Sequence, residues 1–530
     1  MIEMDPLDAA FLALETENMH MHVGVLAVFD TSEAGHTETI DSSVRNIISE
    51  RIHTVQALRR RAIKAPLGID FPLWIEDPHF DIRNHIYREA LPTPGSYDEL
   101  ATMAASIMER KLDISRPLWE IHLVEGLCTS PEPATAMIAK MHHCILDGET
   151  GAGVLSTVFD DGPTPRKIAP PDHPWIPDPV PSLAELLVHS ATGLASRSGS
   201  TVNSAKRAIS FVANMTNERR RDPALGGIMA PLAPHLAPRT SINGAISPYR
   251  KLSFISLPLA DIKMVAHSAS ATVNHVVLAT AAGALRKLLD ARGERPDRSL
   301  VSLVPVSQRG LHEGSESGSR VGSRTSNWAG SMTGGRDGGI TGSRDSSESG
   351  TGRRDGNRNG HGAERTSKNA NMVSAALVSL ATHIDDPLDR LIAISEGSSH
   401  AIRNSSPIYD HLVKAVSQVA IPGISHPLAA AVTKLRLLDK INMPFNIVIS
   451  NIRGPERPLW CAGNRMVEIY PIGPLVEGIG LNVTVMSYVD QLGIGMLACR
   501  ELVPDLDDFT RYMRESFAEL EKATVRRYAR

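Results

Sequence analysis

Lys140-Met-His-His-Cys-Ile-Leu-Asp-Gly148 is the stretch on which the reading of this 530-residue chain turns. It stands where an apolar, β-rich run at 135–141 gives way to a small-residue loop, Glu149-Thr-Gly-Ala-Gly153, that opens a helix. In α/β folds such strand-to-helix junctions are where reactive groups are presented. An imidazole with an ordinary pKa near 6.5 takes a proton from a hydroxyl at neutral pH, which few other side chains do without strong tuning. Neighbouring residues of an extended segment point to opposite faces, so one histidine can meet a substrate while the other packs inside. Asp147 is placed to fold back and hold the loop, and Gly148 lets a backbone or ligand approach closely. A lone His-His pair is more often part of a satisfied core, so the chemical reading needs support from the rest of the chain.

Working outward, Asp5 reads as an N-cap with Pro6 at the first helical position and Leu7, Phe11 and Leu14 on one face. Residues 22–29 read as a strand, and 44–63 as an amphipathic run. Ser96-Tyr-Asp-Glu99 has capping-box spacing and predicts a helix towards Lys111, with Leu100, Met103, Ala104 and Met108 facing inward. Strands are expected at 118–123 and 135–141, around a turn at 128–133. The proline-dense text to Pro181 reads as a connector. Ser182 to Glu185 caps a further helical region, whose basic residues Lys206, Arg207, Arg219, Arg220 and Arg221 form either a solvated face or one that meets anionic lipid.

Alternation resumes with a strand at 251–257, a helix at 274–289 and a strand at 299–306. Residues 310–368 are almost entirely Gly, Ser, Arg, Asp and Asn, with too little to bury, and are expected to be a disordered insertion in a surface loop. After it come a strand at 372–380, a helix opened by Asp386-Pro387, a strand at 445–452, two β segments within 480–499, and a last helix at 506–526. The division is therefore 1–160 as an N-terminal subdomain with the histidine motif, 161–245 as a proline-rich connector with crossover helices, and 246–530 as a C-terminal subdomain containing the insertion.

At 57.3 kDa two cores are expected. A formal net charge of −4 gives no basic field for nucleic acid, which is not an expected partner. Four scattered cysteines, Cys128, Cys144, Cys461 and Cys499, make neither a disulfide framework nor a zinc ribbon, so a reducing cytoplasm is the expected location. The acidic opening Met1-Ile-Glu-Met-Asp-Pro6 is unlike a secretory signal. No stretch has spanning hydrophobicity, so any contact with a membrane or lipid droplet is expected to be peripheral.

The pattern HHxxxDG at 142–148 resembles the active-site string of the acyl-CoA-dependent acyltransferase superfamily, and within it the bacterial wax ester synthase/diacylglycerol acyltransferase family. The same family resemblance is carried by Asp5-Pro-Leu-Asp-Ala-Ala-Phe11, Pro117-Leu-Trp-Glu120, Thr240-Ser-Ile-Asn-Gly244, Leu303-Val-Pro-Val-Ser307 and Ser450-Asn-Ile-Arg-Gly-Pro455. It covers nearly all of the chain outside the insertion. It implies an α/β fold of two similar chloramphenicol-acetyltransferase-like subdomains, with mixed sheets and flanking helices, meeting along an active-site channel. It implies His143 as general base, His142 in support, Asp147 shaping the loop, Gly148 allowing close approach, and Asn274 as a substrate or oxyanion group. Long-chain acyl-CoA would be the donor substrate and diacylglycerol the acceptor, giving triacylglycerol, with no cofactor and no metal.

Two departures stand out: Asn274-His275 where the family usually has Asn-Asp, and Ala370-Asn371 where it has Gly-Asn. They leave room for a non-catalytic member that binds lipid or CoA, and a long-chain alcohol remains the alternative acceptor, giving a wax ester. A metal hydrolase is disfavoured, because adjacent histidines in an extended segment do not converge on one ion and no HExxH string occurs. Direct transfer needs no acyl-enzyme, so Cys144 reads as packing. A condensation domain would draw on a carrier protein, whereas a chain standing alone favours a free CoA thioester.

Overall fold

The structure is a computed structural model that describes residues 2–528 except 33–39, 67–69, 129–132, 147, 194–236, 308–372, 404–429, 432, 437–438 and 440–442. The proposed disordered insertion, the basic segment around Arg219, the Ala370-Asn371 departure and Asp147 all lie outside the described residues. In the first half the strands are β1 (Ile2–Glu3), β2 (His22–Asp30), β3 (Arg60–Ile63), β4 (Leu73–Glu76), β5 (Ile86–Ala90), β6 (Trp119–Cys128), β7 (Pro133–His142) and β8 (Asn243–Gly244). In the second they are β9 (Arg250–Pro258), β10 (Val301–Ser307), β11 (Val373–Ser379), β12 (Ile447–Ile452), β13 (Trp460–Cys461), β14 (Asn464–Ile472), β15 (Gly478–Ile479), β16 (Leu481–Tyr488) and β17 (Gln491–Cys499).

Two six-stranded mixed sheets organise the chain. The first runs β13-β14-β2-β7-β6-β5, antiparallel except for the parallel pair β5–β6. Alternation along its strands sends side chains to two cores. Ala27 and Phe29 of β2 face the helices Pro6–Leu14 and Ile40–Arg51, through Leu12, Val44 and Ile48. Leu26 and Val28 face the helix Tyr97–Glu109, through Leu100, Ala104 and Met108. That helix begins with the capping box read from the sequence, Glu99 accepting from the Ser96 amide at 2.8 Å. Asp5 likewise caps the first helix, accepting from Leu7 N at 2.9 Å.

The second sheet runs β11-β10-β12-β16-β17-β9, with β10, β12 and β16 parallel. Its central strand β16 is buried on both faces nearly throughout, and its buried polar residues are paired: Asn482 Nδ2 donates to the Pro474 carbonyl at 3.0 Å and the Thr484 hydroxyl donates to Asn482 Oδ1 at 2.8 Å. The helices Val273–Ala291 and Leu506–Tyr528 pack on it through Leu285, Leu288, Phe509 and Met513.

Two features differ from the sequence expectation. The amphipathic run at 44–63 is not one helix: the helix ends at Arg51, short 3-10 turns follow, and Arg60–Ile63 is strand β3. The stop has a cause, since the Thr54 hydroxyl donates to the Arg51 carbonyl at 2.8 Å while the Arg51 guanidinium is drawn into a buried ion pair with Asp160 at 2.9 Å. The second feature is β14, which lies late in the chain yet pairs antiparallel with β2 of the first sheet along Gly24 to Asp30. Residues 460–472 thus serve the first sheet from within the 246–530 segment.

That crossing helps to join the halves, beside the helix Tyr97–Glu109, whose Glu109 accepts from the Arg250 amide of β9 at 2.7 Å. A Cβ placed on Gly493 or Gly495 of β17 would sit 1.9 Å from the carbonyl oxygen of Ile469 or Pro471 on β14. Only glycine permits this backbone approach, so Gly495→Ala should lower stability by about 1–3 kcal/mol through overpacking. The shift of the urea midpoint measures it, and a midpoint equal to wild type would show that the strands can separate freely.

Candidate active site

β7 ends at His142, and a single 3-10 turn, His143–Ile145, leads to the helix Gly148–Val158. The two histidines divide as the alternation of an extended segment requires. His142 is 1 % exposed and points inward, while His143 is half-buried. Its backbone amide donates to the Met21 carbonyl at 2.9 Å, and the Leu146 amide donates back to the His143 carbonyl at 3.2 Å. Phe11, from the first helix, lays its ring 4.2 Å from the His143 ring. The opening Asp5-to-Phe11 motif therefore shapes one wall of the site.

His143 Nδ1 is buried with no hydrogen-bond partner among the described residues. Loss of hydration lowers the pKa of this ring, so it is neutral at physiological pH and holds a free lone pair for a proton. The thiol of Cys144 is 2 % exposed and burial pushes its pKa well above the usual thiol range, so it stays protonated and a poor nucleophile. Met21 has φ of 50°, a left-handed conformation that a side chain of its size rarely adopts, and this turn aims its carbonyl at His143.

Beneath this surface lies a group that the sequence reading passed over. His20, His22 and His142 are all buried, with ring centroids 5.3 Å apart for His20–His22 and 6.2 Å for His22–His142. His22 and His142 are cross-strand partners in the β2–β7 register. The available signal was Met19-His20-Met21-His22, polar rings at the mouth of an otherwise apolar strand.

Three of the other quoted motifs make structural contacts. Trp119 Nε1 donates to the Leu58 carbonyl at 2.8 Å, and Glu120 pairs with the buried Lys140 at 2.9 Å. Gly454 fits beneath the Ser487 carbonyl, where a Cβ would lie 2.0 Å away, and its amide donates to Ser487 Oγ at 3.2 Å. Asn243 Nδ2 donates to the Asn446 carbonyl at 2.9 Å, tying β8 to the start of β12.

Asn274 is the second residue of the helix Val273–Ala291; its Oδ1 is buried and unpartnered among the described residues. No hydrogen bond among the described residues links it to His143. The departure at His275 is accommodated locally. Its Nδ1 accepts from the Thr272 amide at 3.3 Å, its own amide donates to Thr272 Oγ1 at 3.3 Å, and Nε2 meets Ser398 Oγ at 2.8 Å. A neutral imidazole thus supplies the capping acceptor that a carboxylate would offer at this position. Among the described residues no cluster of His, Cys, Asp and Glu is arranged to hold a metal ion, and no helix is long and apolar enough to cross a membrane.

Two six-stranded mixed sheets, with a buried histidine ending a strand and a half-buried one opening the turn after it, are the frame for the comparison with known proteins. The profile of the wax ester synthase/diacylglycerol acyltransferase catalytic domain matches residues 4–277, and that of the WS/DGAT C-terminal domain matches 369–521. The chain belongs to the wax ester synthase/diacylglycerol acyltransferase family, and it is an acyltransferase of the diacylglycerol O-acyltransferase type. A protein of Mycobacterium tuberculosis H37Rv carrying the name diacylglycerol O-acyltransferase is 29% identical over 521 residues, covering 98% of this chain and 99% of the relative. A second from the same strain is 28% identical over 535 residues, covering 99% and 97%. The solved wax ester synthase/diacylglycerol acyltransferase from Marinobacter aquaeolei VT8 is similar over 98% of this chain and 99% of its own, with TM-score 0.61 and 25% identity. The expected family and mixed α/β fold are both borne out.

Proposed function

We propose that this protein forms triacylglycerol by moving a long-chain acyl group from coenzyme A directly to the free hydroxyl of diacylglycerol. The observation that carries the reading is His143: a neutral, half-buried ring whose Nδ1 has no partner among the described residues, pinned by Met21 and Phe11 at the end of β7. The imidazole takes the acceptor hydroxyl proton as the alcohol oxygen attacks the thioester carbonyl. The tetrahedral oxyanion collapses, the carbon–sulfur bond breaks, and the departing CoA sulfur takes the proton from the imidazolium. Asn274 is assigned to the substrate or oxyanion contact, His142 to supporting the turn, Asp147 to shaping the loop after it, and Gly148 to allowing close approach. No covalent acyl-enzyme, metal or cofactor enters this scheme, and acyl-CoA is a substrate. Both substrates carry long apolar chains, which places the enzyme's work at a membrane or lipid-droplet surface, reached peripherally from the cytoplasm.

The test is thiol release from one long-chain acyl-CoA with a panel of acceptors. Diacylglycerol is expected to give the fastest acceptor-dependent release, with triacylglycerol as product. Preference for a long-chain alcohol would make the protein a wax ester synthase, and no acceptor-dependent release from well-folded protein would make it a non-catalytic lipid- or CoA-binding member.

A further inference from the structure

The three buried imidazoles under the His143 turn have assigned hydrogens, because each ring already makes one directional hydrogen bond. His142 Nδ1 accepts from the Cys144 amide at 3.2 Å, so in the neutral ring the hydrogen is on Nε2. His22 Nε2 accepts from the Leu112 amide at 3.4 Å, so its hydrogen is on Nδ1. His20 Nε2 lies 2.8 Å from the Glu17 carbonyl, to which it must donate, leaving a lone pair on Nδ1. The remaining nitrogen of each ring, His142 Nε2, His22 Nδ1 and His20 Nδ1, is buried with no partner among the described residues. The residues themselves are 1 %, 2 % and 5 % exposed. Two donors and one acceptor are thus left over in rings whose centroids are 5.3 and 6.2 Å apart.

We propose that one water molecule binds among His20, His22 and His142, and that this bridged triad is the device that holds the His142–His143 turn in its working position. A water accepts from His22 Nδ1–H and His142 Nε2–H and donates to His20 Nδ1. The Met108 backbone interacts with both His20 and His22 and so borders the same site. Three partners of the right polarity are typical of a buried water. A metal ion does not fit, because two of the three nitrogens carry hydrogens and Lys140, Lys111 and Arg250 surround the cluster with positive charge. An anion does not fit either, because His20 turns a lone pair towards it. The bridge reaches the reaction through His142: its ring fixes the Cys144 amide, and the same turn carries His143, whose amide is anchored on Met21 between His20 and His22.

The role in turnover rests on the acyl-transfer reading above; the bound water does not. Histidine-selective nitrogen NMR on the full chain at neutral pH is expected to show the Nδ1–H form for His22, the Nε2–H form for His20 and His142, and a magnetisation transfer from a long-lived water to the His22 and His142 ring N–H groups. Any other tautomer pattern, a charged ring, or a stoichiometric metal on elemental analysis overturns the water site, whether or not the enzyme turns over. In assays, His22→Leu should lower kcat about tenfold with the acyl-CoA KM unchanged, through misplacement of the base. His22→Asn, which restores a side-chain donor, should recover to within about twofold of wild type. Full kcat in His22→Leu, or equal losses in both variants, overturns the positioning role. Wild-type protein with the expected tautomers and bound water but without acyl transfer would overturn the functional reading alone.

Discussion

His143→Ala is expected to reduce acyl transfer by about a hundred- to ten-thousandfold, the usual loss when a general base is removed. The reason is specific to this ring: the hydroxyl of a lipid acceptor is far too weak an acid to attack a thioester unaided, and Cys144 next door is held protonated by burial. The change should fall on kcat more than on the KM for acyl-CoA, because the proton is transferred only in the transition state. Folding should survive, since His143 is only half-buried and the main-chain bonds to Met21 and Leu146 involve backbone atoms that alanine retains. His142→Ala supplies the contrast: it empties a buried site and frees the Cys144 amide, so its damage should appear in the unfolding midpoint as well. Acceptor-dependent thiol release at the wild-type rate from well-folded His143→Ala would end the case for this base.

Acid is expected to weaken the first sheet before most carboxylates titrate. Burial lowers the pKa of His142 to about 3 and of His20 to about 4, and holds His22 well below its ordinary value. In the unfolded chain each returns to about 6.5. Between those limits the unfolded state binds protons that the native state refuses, so stability is complete above about pH 6.5 and falls as pH decreases. At pH 5, His20 and His142 should each remove about 2 kcal/mol, a large share of a typical folding free energy. Glu15 and Glu477, whose pKa values burial raises, act in the opposite direction and soften the fall. The urea midpoint followed from pH 7 to pH 5 measures the effect, and His20→Gln should flatten the curve. A midpoint that stays level over that range would mean that these histidines titrate alike in the folded and unfolded chain.

Much of the local structure could be read directly because it depends on neighbours in sequence. Asp5-Pro6 and Ser96-to-Glu99 each close their own hydrogen bonds within one helical turn, and both caps are where the side-chain chemistry puts them. The run at 44–63 misled because periodicity has no knowledge of Asp160, more than a hundred residues away, whose carboxylate captures Arg51 and helps end the helix. β14 was missed for the same kind of reason: its length and composition suit a strand, but its partner, β2, lies at the other end of the chain.

From the amino acids alone came the α/β alternation, the helix caps, the HHxxxDG string and the resemblance that fixes the family, since each is a matter of short-range spacing or of residue identity. Tertiary packing alone decided that His143 faces outward against Phe11 while His142 joins His20 and His22 in the interior. Packing also decided that β14 crosses into the first sheet and that glycines on β17 let the two sheets touch. Proton affinity and backbone contact depend on which atoms are near in space, and the order of residues along a chain does not by itself record the pairing of distant strands.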